Sequence, residues 1–227
     1  KLRSGDSQAK LLLAEAELRC GACEEAVTIL EEAARAKSPP VRVLQLLAEG
    51  YDLLGRDEDA LQVLGRAAEA APGDPDIHNR AGDLHQKRFQ YEEALEAYRR
   101  AIAIDPERPL NAEIWFKMGF LHESNGSTDE AIMAYESAAA LSPSHSGVHV
   151  MLGNLYMGIG LKDEAHAQLE KALTVNPRDE AAHFGLGLLA QEAGRKDEAL
   201  LRFREAVGLD SDDTDAQLRL GDMLADG

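Results

Sequence analysis

Pairs of adjacent carboxylates are the residues of this chain that most resemble acid/base machinery. Two carboxylates held side by side can serve as a general acid and a general base. Each pair, however, opens a stretch with helical apolar spacing, where the positive end of the helix dipole stabilises carboxylates in the first turn. We therefore interpret the pairs as helix-start residues and predict no catalytic residue. The six pairs are Glu24-Glu25, Glu58-Asp59, Glu92-Glu93, Asp129-Glu130, Asp163-Glu164 and Asp197-Glu198.

A C-x-x-C motif, Cys20 to Cys23, is the second candidate for chemistry. This spacing occurs in redox-active pairs and in zinc sites. No second ligand pair follows it, and no βαβ pattern surrounds it. We expect structural cysteines, and the alternatives are an opportunistic disulfide and a redox pair.

Composition narrows the class of partner. The chain has 227 residues, of which 44% are hydrophobic and 29% charged, so it contains enough apolar material for a packed core. Because 24 Lys and Arg face 41 Asp and Glu, the formal charge is -17. Such a charge repels phosphate backbones and anionic lipid surfaces. We therefore expect no nucleic acid and no membrane insertion.

The elements that position these residues repeat along the chain. Pro72, Pro106, Pro143 and Pro177 each follow a helical pattern, at spacings of 34, 37 and 34 residues. A fixed period of this size is typical of stacked supersecondary units. Within each period, two apolar-periodic stretches flank a glycine-containing turn, and alternating strand patterns are absent. The sequence predicts an all-α array of helix–turn–helix units.

The recurring residues resemble the tetratricopeptide repeat, whose signature is W-x2-L-G-x2-Y, then A-x3-F, then P. The fourth unit, for example, has Trp115, Gly119 and Tyr135, with Pro143 closing it. The resemblance implies a right-handed superhelical α-solenoid of stacked antiparallel helix pairs. It covers almost the whole chain as a single array, with repeats at about 7–40, 41–74, 75–108, 112–145, 146–179 and 180–213, and a terminal or capping helix at 214–227.

Five of the seven histidines fall on signature positions of this resemblance. His78, His149 and His183 replace the signature Trp, and His85 and His122 replace the signature Tyr. We therefore expect them to be packing residues, and we predict no metal site and no cofactor.

The resemblance also implies a concave groove lined by the first helix of each unit, where partner peptides bind. In the first three units, the groove-facing positions carry a mixture of acids and bases. In the fourth to sixth units they become largely apolar, which favours an apolar peptide or helix as partner. Asn154 would hydrogen-bond an extended peptide backbone. The predicted groove residues are Phe116, Phe120, Val150, Asn154, Met157, Phe184 and Leu188.

The leading hypothesis is therefore a non-enzymatic adaptor that binds a protein or peptide. One alternative is a self-associating module, a homo-oligomer that uses this strip or Leu218, Leu220 and Leu224 of the last helix. Another is the targeting arm of a larger enzyme or secretion assembly, since the sequence begins without Met. The few cysteines favour the cytoplasm, with a bacterial periplasm as the alternative.

Overall fold

Residues 4–225 are described by a computed structural model, and the described range consists of thirteen α-helices joined by turns. The predicted all-α class is confirmed. The helices are α1 Ser4–Cys20, α2 Cys23–Ala34, α3 Val41–Leu53, α4 Asp57–Ala70, α5 Pro75–Lys87, α6 Tyr91–Ile104, α7 Asn111–Ser124, α8 Thr128–Leu141, α9 Ser146–Gly158, α10 Lys162–Val175, α11 Glu180–Glu192, α12 Lys196–Leu209 and α13 Thr214–Ala225.

The helices are arranged as successive hairpins. Each odd-numbered helix from α1 to α11 packs against the helix that follows it, and α13 packs against α12. Helices α3 and α5 start 34 residues apart, at Val41 and Pro75, and so do α9 and α11, at Ser146 and Glu180. The 34-residue period therefore marks the physical unit.

The chain divides after Arg108 into two compact units. Unit 1 contains α1 to α6, and unit 2 contains α7 to α13. The division falls in the stretch that makes one proline spacing 37 rather than 34 residues. There Pro109 lacks a backbone N–H and favours an extended Arg108, and α7 begins only at Asn111.

Close helix crossings explain the signature glycines of the third to sixth hairpins. A Cβ on Gly119 would lie 2.6 Å from ring atoms of Tyr135, and one on Gly187 would lie 2.6 Å from Phe203. Only a residue without a side chain lets the first helix approach the bulky residue of the second. Gly82 under Tyr98 and Gly153 under Leu169 repeat this arrangement.

The carboxylate pairs occupy the positions expected of helix-start residues. All six lie in the first turns of the second helices, α2, α4, α6, α8, α10 and α12. There they complement the exposed N–H groups and the positive end of the dipole. Their position accounts for part of the chain's acidic excess.

Two histidines that replace the signature Trp are buried packing residues, as expected. His149 is 5% exposed and His183 is 8% exposed. The Nε2 of each lies 3.1 Å from a carbonyl oxygen of a signature proline, that of Pro143 or Pro177. The imidazole thereby joins the first helix to the turn before it.

The turn inside the third hairpin differs from the others. Gly21, Gly55, Gly126, Gly160 and Gly194 adopt positive φ between the two helices of their hairpins, whereas the third turn places Phe89 there at φ 58°. A non-glycine residue in this conformation brings its Cβ close to the backbone and costs about 1 to 2 kcal/mol. The Phe89 side chain is 77% exposed, so packing recovers little of that cost.

Candidate functional site

Charged residues on the first helices of unit 1 pair with one another across neighbouring repeats. Arg42 lies 2.6 Å from Glu15, and Arg80 lies 3.1 Å from Glu49. Lys87 Nζ lies 2.8 Å from the carboxylates of both Asp52 and Asp57, and these hydrogen bonds raise the pKa of Lys87. We call the pairs Arg42–Glu15, Arg80–Glu49 and Lys87–Asp52 the ion-pair ladder.

Further polar contacts engage the same surface. Gln45 Nε2 donates to Asp74 at 2.8 Å, and Arg108 forms a two-pronged contact with Asp76 at 2.8 and 3.1 Å. The hydroxyl of Tyr98 donates to Asp83 at 2.7 Å. Each acid in these contacts accepts from a base or from a neutral donor, and the acids outnumber the bases on this surface.

The same helical positions change character in unit 2. One position of the first helix carries Glu49 and Asp83 in unit 1, and Phe120, Asn154 and Leu188 in unit 2. A second carries Gln45 and Asn79 in unit 1, and Phe116, Val150 and Phe184 in unit 2.

Phe116 and Phe184 are half-buried and rest on aromatic rings of the second helices. The Phe116 ring lies 5.5 Å from that of Tyr135 and 5.2 Å from that of His145. The Phe184 ring lies 5.7 Å from that of Phe203. These distances are typical of aromatic pairs in protein cores. Both residues therefore stabilise their hairpins and leave one edge open at the surface.

Val150 does not line an accessible surface. It is 3% exposed and packs in a cluster with Ala182, Leu186 and Leu189 of α11. The prediction of Val150 as a groove contact is corrected for this reason: α11 packs against α9 and covers the short valine side chain.

Phe120 is the most exposed apolar residue of the predicted set. Its side chain is 52% exposed on α7, although Phe is a residue that proteins usually bury. Leu188 is half-buried beside the cluster around Phe203, and Asn154 is exposed on α9. Met157 is half-buried, and its methyl group lies 3.6 Å from where a Cβ of Gly185 would be.

We call Phe116, Phe120, Met157, Phe184 and Leu188 the apolar strip. Leu218 of α13 shares the helical position of Phe116 and Phe184 and is 61% exposed. From the sequence alone, Leu218 is expected only in a self-association surface. Extending the 34-residue spacing by one unit beyond Phe184 would have added it to the strip.

The C-x-x-C cysteines form neither a disulfide nor part of a metal site within residues 4–225. Both cysteines are free thiols, Cys20 at the end of α1 and Cys23 at the start of α2. Among residues 4–225, no group of three or more His, Cys, Asp or Glu lies close enough to hold a metal ion. None of the helices in that range is long and apolar enough to cross a membrane.

Family comparison agrees with the hairpin geometry. Three family models, each described as tetratricopeptide repeat, match residues 40–84, 75–144, and 150–214 together with 186–227. The chain belongs to the tetratricopeptide repeat family. No curated protein matches the chain.

Solved structures share the fold at low sequence identity. PilF of Pseudomonas aeruginosa is 16% identical with a TM-score of 0.74, and each chain is covered completely. YrrB, described as a TPR protein with an unusual peptide-binding site, is 17% identical with a TM-score of 0.69, over 83% of this chain and 95% of its own. A MamA structure is 24% identical with a TM-score of 0.67, over 76% and 92%. These similarities show the fold alone.

Proposed function

We propose that this protein is a non-enzymatic adaptor that binds an apolar peptide, or the apolar face of an amphipathic helix, along the first helices of unit 2. The exposure of Phe120 carries the proposal. Its position is occupied by Glu49 and Asp83 in unit 1, where both carboxylates are hydrogen-bonded. Packing of the fold therefore does not require an apolar residue there, whereas a binding surface gains from one.

The apolar strip and Asn154 would hold a partner peptide in place and set its orientation. Phe116 and Phe184 are held by Tyr135 and Phe203, so a partner would meet rings already fixed in place. Met157 between them can adapt to different side chains. Asn154 provides an exposed amide that can both donate to and accept from a peptide backbone. Tetratricopeptide repeat proteins generally bind protein or peptide partners, and YrrB shows that the fold accommodates a peptide-binding site.

The test uses the full chain and helical peptides selected against it from a displayed library. The Phe120→Asn, Leu188→Asn double variant should weaken binding at least about tenfold in fluorescence anisotropy. Circular dichroism and the melting temperature should remain close to wild type, because Phe120 is half exposed and Leu188 only half-buried.

A matched control comes from exposed apolar residues of the second helices. Met133 of α8 is 67% exposed and Leu201 of α12 is 55% exposed. The Met133→Asn, Leu201→Asn variant removes similar apolar area elsewhere and should bind as wild type. Equal affinity for the strip variant and the wild type would refute the proposed groove.

Self-association is the second candidate, favoured by the open face of α13. Leu218 and Leu224 are 61% and 53% exposed, and nothing lies within 4 Å of where a Cβ of Gly221 would be. Light scattering over a tenfold concentration range tests this candidate. If the wild type is an oligomer and the Leu218→Asn, Leu224→Asn variant is a monomer, self-assembly takes precedence over the adaptor role.

A further inference from the structure

A crevice of about 650 Å³ lies in unit 1 between α4, α5 and α6, away from the apolar strip. Its floor is apolar and includes Leu64 and Ile77, while Glu92 and Glu93 stand at its rim. Its volume falls within the range of small-molecule sites. The crevice is open to solvent, so a ligand could enter it without unfolding a hairpin.

The second repeat has a corresponding crevice, which an aromatic side chain makes smaller. That crevice, between α2, α3 and α4, measures about 350 Å³. The aromatic ring of Tyr51, 7% exposed, takes up part of the space that is open in the third repeat, and the Tyr51 hydroxyl donates to Glu31 at 2.8 Å. The Arg56 guanidinium lies 4.2 Å from the centre of the ring, and its Nε donates to Asp59 at 2.8 Å. The occupant is thus an aromatic ring with a cation stacked on its face.

In the third repeat, the ring and its acceptor are absent. The residue 34 positions after Tyr51 is His85, and the residue 34 positions after Glu31 is Gly65. The His85 Nδ1 lies 3.0 Å from Gln90 Oε1, so the smaller ring is held at the turn. The wall has also receded, because Ala81 stands where the second repeat has Leu47.

The stacked cation is missing from its position as well, but its counter-charge is retained. The Arg88 guanidinium, which donates to Gln90 Oε1 at 3.2 Å, is held by Glu58 at 2.9 Å. Gln90 stands where the second repeat has Arg56, and Glu93 stands where it has Asp59. Arg100 also lines the crevice, and its Nε donates a hydrogen bond to the neighbouring Glu96 at 3.1 Å. The positive charge of Arg100 is therefore paired with a carboxylate. Burial, and then the charge of Arg100, lower the pKa of His78, so this lining histidine adds no positive charge at neutral pH.

We propose that this crevice binds an aromatic ring carrying a positive charge, supplied by a ligand in place of the Tyr51 and Arg56 pair of the preceding repeat. The apolar floor would cover the ring, and Glu92 and Glu93 would attract the cation. A free aromatic amine and an aromatic side chain beside Lys or Arg in a peptide share this chemistry.

The test is a titration of the full chain followed by backbone amide NMR. The probes are tryptamine and its anionic counterpart indole-3-propionate, together with the peptides Lys-Trp-Lys and Glu-Trp-Glu. We expect at least one cationic probe to shift the amide signals of Gly65 and Ala81, with an affinity at least about tenfold above that of its anionic counterpart. Saturation by tryptamine alone identifies a free amine as the source, and saturation by Lys-Trp-Lys alone identifies a peptide side chain.

Variants of the crevice distinguish specific binding of the probes from non-specific binding elsewhere on the surface. The Gly65→Glu, His85→Tyr, Gln90→Arg variant restores the second repeat's own occupant and should lose at least about tenfold in affinity while remaining folded, because the second repeat accommodates the same three residues. Ala81→Leu is an independent variant that narrows the crevice. Glu93→Gln should weaken only the cationic probe, and Glu24→Gln, a first-turn residue of α2 outside the crevice, should change nothing.

Three outcomes would overturn the proposal: no probe binds, anionic and cationic probes bind equally, or the triple variant binds as wild type. These outcomes leave the proposed groove in unit 2 untouched, because the two sites share no residue.

Discussion

In unit 1, ion pairs join the exposed sides of neighbouring first helices, whereas the first helices of unit 2 carry phenylalanine, methionine and leucine at some of the positions that are polar in unit 1. Both units contain hairpins in which a glycine of the first helix lies under a bulky residue of the second, Gly82 under Tyr98 in unit 1 and Gly119 under Tyr135 in unit 2. The core pattern therefore leaves the exposed positions free to differ. In unit 1 the surface charges form contacts within the chain, while in unit 2 apolar area stays exposed, and under the proposed function this area receives the partner.

The third repeat is a second point of contrast within unit 1. It lacks the ring and cation that fill the second repeat's crevice, and its turn holds Phe89 in a conformation that glycine adopts elsewhere. Repeats that share one backbone fold can thus differ in the strain of a turn and in the volume of the crevice between their helices. Both features are visible only by comparing one repeat with the next.

The largest effect on stability should come from filling the glycine positions at the close helix crossings, which occur in both units. Gly82→Leu in unit 1 and Gly119→Leu in unit 2 should each lower the free energy of unfolding by about 1 to 3 kcal/mol, because the new side chain overlaps Tyr98 or Tyr135. Urea denaturation measures both. Gly221→Leu is the control, because its Cβ meets nothing within 4 Å. A similar loss in this control would show that overlap with the second helix is not the cause.

The strained turn predicts a reciprocal effect in the two units. Phe89→Gly in unit 1 should raise the free energy of unfolding by about 1 kcal/mol, since glycine adopts positive φ without a steric penalty. Gly126→Phe in unit 2 should lower it by a similar amount, because Gly126 has φ 74°. Urea midpoints of the two variants test this pairing, and two changes of the same sign would contradict it.

The ion-pair ladder should make unit 1 sensitive to salt. Arg80 and Glu49 are 41% and 38% exposed, so their pair contributes at most about 1 kcal/mol. The Glu49→Gln variant should lose this contribution at low ionic strength and match the wild type near 1 M salt, where screening acts over about 3 Å. Phe120→Asn in unit 2 is the comparison and should show no such salt dependence. Urea unfolding at both ionic strengths distinguishes the two.

The sequence predicts the fold well because a few residue types carry it. Gly119, Ala131 and Pro143 recur at fixed spacing in most of the other repeats, and each spacing follows from a helix crossing or a helix end. The ion-pair ladder could not be predicted in the same way. The sequence shows a mixture of acids and bases on unit 1, but it does not show that Arg42 lies against Glu15 of the preceding repeat.

The predicted groove set contains all five residues of the apolar strip, but it also contains the buried Val150, for a physical reason. Helical spacing gives the direction of a side chain, but it does not give how closely the next helix packs. Val150 and Phe184 share a helical position, yet α11 covers the shorter Val150 completely. Phe120 remains open at the surface. Whether such a residue is buried or exposed depends on how the neighbouring helices pack, which the sequence does not give. The crevice of the third repeat likewise depends on which residues of different helices face one another.

The smallest predicted effect is a pH dependence in unit 2. Glu180, the first residue of α11, lies beside Asp213, whose carboxylate accepts from the backbone N–H groups of Asp215 and Ala216 at the start of α13. Burial raises the pKa of Glu180 to about 7, with further contributions from Asp213 and the charges of Asp210 and Asp179. Protonated Glu180 can donate to Asp213, whereas ionised Glu180 repels it. The group therefore contributes stability that is fully present below about pH 4.5 and is lost as the pH rises through about 7.

Because Glu180 is only half-buried, solvent screening should keep this contribution below about 1 kcal/mol. Amide hydrogen exchange of α13 at pH 5 and pH 8, corrected for the intrinsic exchange rate, measures it. Glu180→Gln should remove the difference between the two pH values, since glutamine donates at both. Glu205→Gln, at an exposed site on α12, should retain the wild-type difference. If α13 is equally protected at both pH values in the wild type, the Glu180–Asp213 contact does not stabilise this end of unit 2, and the pH response distinguishing it from the salt-sensitive ladder of unit 1 is absent.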